Sequence, residues 1–153
     1  MPRGGLEHPA FLLRSSLKAL ALGRVLNATI IALESSGMAV HFATDRPRAL
    51  LNALDAAIEQ KEAEGKIRTW IKSDDGIYYT HAATAWTKKA WFKPSVQSGQ
   101  LTFNIIKPGD ANVTIVAYGY YHGHLIETFV NHFDKMHTLA MATPLPVKGD
   151  LVQ

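Results

Sequence analysis

The spacing of hydrophobic and polar residues changes period several times along the chain, and each change predicts an element. Residues 38–43 alternate as a short strand does. Leu50, Leu51, Leu54, Ala57 and Ile58 then recur at helical spacing and make one apolar stripe. Asp45 is placed to cap that helix, and Pro47 is tolerated in its first turn, where amides have no intrahelical acceptor. Gly65 is placed to close it in the left-handed region. Residues 67–72 and 76–81 read as strands joined by Ser73-Asp74-Asp75, with Gly76 supplying a positive φ.

The same reasoning gives strands at 90–96 and 100–107, joined by Gln97-Ser98-Gly99, and a further strand at 113–121 after the turn Lys107-Pro108-Gly109-Asp110. Turns this short force antiparallel pairing. Pro94 cannot donate to a ladder, so it marks an edge or a bulge. In the 124–136 segment Leu125, Ile126, Phe129, Val130, Phe133 and Met136 share one side of a helical wheel, with Phe129 near the middle of the arc. Residues 138–143 suit a last strand, and Pro144 and Pro146 end regular structure. The expected fold is α+β: an antiparallel sheet of five or six strands with two amphipathic helices on one face.

Residues 1–37 differ in pattern and are set apart from a domain expected over residues 38–153. Their apolar residues fall all round a helical wheel, and the acid-poor run carries Arg14, Lys18 and Arg24. A terminal helix, a transit-type leader and an extension ending at Ser35-Ser36-Gly37 all suit that composition. Arg24 and Asn27 break the run before it reaches the roughly 20 apolar residues of a membrane span. With no clear export signal, the default location is the cytoplasm.

The 153 residues suffice for one core without a metal or disulfide, and the chain has no cysteine. Thiolate metal sites and cysteine nucleophiles are thereby excluded. Charge changes the picture more. The net charge is +3, yet residues 66–107 alone carry seven basic and two acidic groups. Within that stretch Trp86, Lys88, Lys89, Trp91 and Lys93 interleave rings with cations, and Arg68 and Trp70 on the preceding hairpin extend the set. Rings stack on bases and ammonium groups neutralise phosphates, so this pattern suits a non-enzymatic module for an anionic partner, nucleic acid or an acidic protein. Trp91, Lys93 and Lys89 are expected on one side of their strand, with Ala90, Phe92 and Val96 on the other.

No nucleophile elbow, phosphate loop or dinucleotide fingerprint is present, and nothing calls for a cofactor. The alternative chemistry is metal-dependent hydrolysis built on His122, His124 and Glu127, provided these donors converge. A second aromatic grouping arises if 113–121 is a strand. Tyr118, Tyr120 and His122 then share one face and, with Tyr78 and Trp70, line a pocket.

Overall fold

A computed structural model of the chain describes residues 40–153; the segment ahead of them, with the expectations placed on it, lies outside the described residues. Six strands form one antiparallel sheet: β1 (Val40–Ala43), β2 (Trp70–Lys72), β3 (Tyr79–His81), β4 (Trp91–Gln97), β5 (Gln100–Ile106) and β6 (Leu139–Ala142). Their order across the sheet is β2-β3-β4-β5-β1-β6. Helix α1 (Pro47–Glu59) carries the chain from β1 to the far edge at β2, and α2 (Ile115–His132) carries it from β5 to the other edge at β6.

Register shows that both helices cover the same face. Tyr79 pairs with Phe92, Phe92 with Ile105, and Phe42 with Leu101, so these side chains share one side. On that side Tyr79 donates to Asp55 of α1 at 2.6 Å, and Phe42 stacks on Phe129 of α2 at 3.8 Å. The core lies between, built from Val40, Phe42, Leu50, Leu54, Phe92, Leu101, Phe103, Ile105, Leu125 and Phe129, all fully buried. The chain is thus an α+β fold of the expected class.

Several local expectations hold. Gly76 and Gly99 sit at φ 71° and 80° in the two hairpin turns, where a side chain would be strained. Asp75 accepts the Ile77 amide and Ser73 the Tyr78 amide, which closes the first turn. Beyond Phe92, β4 has no partner on its β3 side among the described residues, so Pro94 stands on a locally open edge there.

Three expectations are corrected. Asp45 does not cap α1: Arg46 holds the cap position without a side-chain bond, and Thr44 Oγ1 accepts the Arg46 amide instead. The helix stops at Glu59, before Gly65, because the polar run that follows offers no side chain to hold it on the sheet. The third correction matters most. Residues 115–121 are helical, not a strand, and α2 is one helix of 18 residues. Thr114 caps it by accepting the Ala117 amide at 3.1 Å. Its buried positions, Ala117, Tyr118, Tyr121, His122, Leu125, Thr128 and Phe129, advance by three and four. Gly119 is exposed and Tyr120 half-buried, so the every-second-residue aromatic face does not exist.

Candidate functional site

Where β3 ends against the middle of α2, polar groups from distant parts of the chain meet. His81 is the last residue of β3 and His124 projects from α2. Together with Arg68, Thr69, Ala82, Ala83, Glu127, Thr128, Asn131 and His132 they line an open cleft of about 510 Å³. His81 is 4% exposed, and Trp70 packs edge-on to its ring at 5.3 Å. Trp70 Nε1–H in turn donates to Thr128 Oγ1 at 2.9 Å, and Thr128 donates to the His124 carbonyl at 2.7 Å. The floor of the cleft is therefore a hydrogen-bonded part of the core.

The two imidazoles are 3.3 Å apart, His81 Nε2 to His124 Nδ1. Donor chemistry fixes their protons. The Ala83 amide can only donate, and it points at His81 Nδ1 at 3.1 Å. His81 Nδ1 is therefore the acceptor, and the neutral ring carries its proton on Nε2. That proton is donated to His124 Nδ1, which leaves the His124 proton on Nε2. Burial holds the His81 pKa below its ordinary 6.5, and repulsion from a charged His124 adds to this. Burial therefore favours the uncharged form of His81.

A wall of stacked rings supports His124. Tyr120 stacks on it at 4.0 Å, and Trp86 stacks on Tyr120 at 3.9 Å. Trp86 belongs to the connector between β3 and β4, which Tyr121 and Thr80 anchor. The Tyr121 hydroxyl donates to the Trp86 carbonyl at 2.6 Å, and Thr80 Oγ1 accepts the Lys88 amide at 2.9 Å.

The residues expected to form one basic, aromatic surface fall in four places. Arg68 is exposed on the cleft, with Trp86 behind the His124 wall. Lys88 and Lys89 are exposed on the connector, Lys88 at φ 57°. Trp91 and Lys93 pair with Ile106 and Asn104 on the sheet face away from the helices, opposite Phe92, as strand alternation requires. Trp70 is 1% exposed in the core, so its ring has no free face to offer a ligand.

The metal-site residues do not gather. His122 is 4% exposed and turned inward: it stacks on Tyr118 at 3.9 Å, and its Nδ1–H donates to the Tyr118 carbonyl at 2.6 Å. Two residues on, about 200° round the helix, His124 faces the cleft with Glu127. Among the described residues no three His, Asp or Glu side chains converge on a metal-sized site. Nor does any described helix have the length and apolarity to cross a membrane.

Sequence reasoning missed His81, Thr69, Asn131 and His132 as cleft residues. His81 and His124 are 43 positions apart, and no local spacing signals their contact. No protein-family model matches the chain, and neither a curated protein nor a solved structure matches it.

Proposed function

We propose that this protein is a non-enzymatic binding module for an anionic partner, and that the partner is engaged at the cleft beside Arg68. One observation carries the reading: Arg68 is exposed at the cleft and has no ion pair among the described residues. Lys72 is the contrast, held by Asp55 at 3.1 Å and Glu59 at 3.0 Å and so already neutralised. A guanidinium is a fork of donors with no acceptor, suited to phosphate or carboxylate oxygens. His124 and Asn131 add donors beside it, and the ring wall ending in Trp86 keeps that side stiff. Lys88 and Lys89, on the connector that also carries Trp86, add long-range attraction for a larger anion.

The test is titration of a fluorescent single-stranded oligonucleotide and of a poly-glutamate peptide at several salt concentrations. Binding to either, weakening with salt and reduced in Arg68→Gln, is expected. No binding to either at about 50 mM salt, a condition that favours electrostatic association, overturns the reading. Wild-type affinity in Arg68→Gln removes the cleft as the site.

A further inference from the structure

We propose that the group seated in the cleft is a phosphate monoester, held by Arg68 and by the Nε2–H of His124, whose tautomer His81 sets. This rests on the cleft being the anion site and goes beyond it by naming the anion.

His124 Nδ1 accepts the His81 proton, so the other ring nitrogen of this cleft-lining residue is a donor and not a lone pair. Arg68 is donor-only as well, and the Asn131 amide can be oriented as a third donor. Arg68 precedes β2, whereas His124 and Asn131 lie on α2, so the donor-bearing residues reach one cleft from two elements. A phosphate monoester presents three terminal oxygens to them, whereas a diester or a carboxylate presents two.

Glu127 decides further. It lines the same cleft as an acceptor and would repel an anion with no proton to share. With its second pKa near about 6, a phosphate monoester can keep one proton and donate it to the Glu127 carboxylate. Sulfate esters and phosphodiesters have no such proton at neutral pH. The cleft, at about 510 Å³, has the size of a small-molecule site. The monoester can belong to a free small molecule or to the end of a nucleic acid strand, and the two are separated by experiment.

His81 is a positioning residue, acting through His124. His81→Leu leaves His124 free to take either tautomer. His81→Gln keeps a donor directed at Nδ1.

The experiment is calorimetric titration of the full chain with phenyl phosphate and phenyl sulfate, and with an oligonucleotide bearing a 5′-phosphate or a 5′-hydroxyl. Nitrogen-15 NMR of the histidine rings runs beside it. The expected result has four parts. Phenyl phosphate binds in preference to phenyl sulfate. Arg68→Gln weakens it by at least about tenfold, the scale of one charge-assisted bond. Glu127→Gln erases the preference over sulfate. His81→Leu weakens phosphate binding while His81→Gln restores it. The NMR spectrum of the wild type, which needs no variant to fold, should show His124 protonated on Nε2. A proton on Nδ1 overturns the proposal, as does the lack of any phosphate preference in both pairs, phenyl phosphate over phenyl sulfate and 5′-phosphate over 5′-hydroxyl. If Arg68→Gln abolishes polyanion binding while neither phenyl phosphate nor the 5′-phosphate end is preferred, the cleft remains the anion site and the phosphate assignment fails. If phenyl phosphate binds equally well to Arg68→Gln, the site itself is wrong. Binding of phenyl phosphate assigns the ligand to free small molecules; a preference seen only for the 5′-phosphorylated strand assigns it to nucleic acid ends.

Discussion

Helix α2 rests on two aromatic clusters of opposite character. Toward its C-terminus Phe129 stacks on Phe42 at 3.8 Å and packs edge-on to Phe103 and Phe133 at 5.6 and 5.3 Å. Toward β2 and β3 the rings are Trp70, His81, Tyr120, Tyr121 and His124, and most of their polar tips are bonded: Trp70 to Thr128, Tyr121 to the Trp86 carbonyl, His81 to His124 and the Ala83 amide. The phenylalanine cluster is held by area and shape, which tolerate small shifts. The polar cluster is held by directional bonds, each of which must be met once water is excluded. That is why the polar end fixes a tautomer for each of its two histidines, while the phenylalanine end fixes only shape.

Truncation at the phenylalanine end should cost most. Phe129→Ala is expected to destabilise the fold by about 3–5 kcal/mol, read from denaturant unfolding. At the polar end Trp70→Phe keeps a ring but strips the proton from Thr128 Oγ1, and should cost about 1–3 kcal/mol. Equal losses for the two would erase the distinction, since area alone would then explain both clusters.

Acid sharpens the contrast. Burial holds His41, His81 and His122 below their ordinary value of 6.5. The unfolded chain therefore takes up protons before the folded one does. The associated stability is present above pH 6.5 and is lost as pH falls from there toward the folded values. His122→Phe removes one of these groups, so its stability should fall less steeply over that range. An unchanged slope in urea midpoints against pH would show that His122 does not contribute.

The smallest effects belong to exposed positions of α2. Gly119 is exposed, and a Cβ added there meets nothing within 4 Å. Gly119→Ala should stabilise by up to about 1 kcal/mol, the difference in helix propensity. A melting temperature lower than wild type would mean that the open side of the helix is in use. Asn131 is exposed in the cleft, and Asn131→Ala should change stability by no more than about 0.5 kcal/mol. A larger loss would tie Asn131 to the polar cluster.

The leucine stripe of α1, the glycines of both hairpin turns, the burial of Phe129 and the separation of Trp91 and Lys93 from Phe92 were legible in the sequence by itself. Each depends on geometry that repeats or closes within a few residues: the helical period, the strand alternation or a positive φ. The start of α2 was not legible. Residues 113–121 are rich in β-branched and aromatic side chains and include Gly119, so local propensity argues against a helix. Burial of Tyr118, Tyr121 and His122 against the sheet outweighs it. Strand order, with β1 between β5 and β6, likewise depends on packing across the whole sheet. So does the cleft. Only the folded chain brings His81 to His124 across 43 residues and puts Arg68 beside them, while it turns His122 into the core. Local spacing fixes which way a side chain leaves its own element; which element it meets there is decided by tertiary packing.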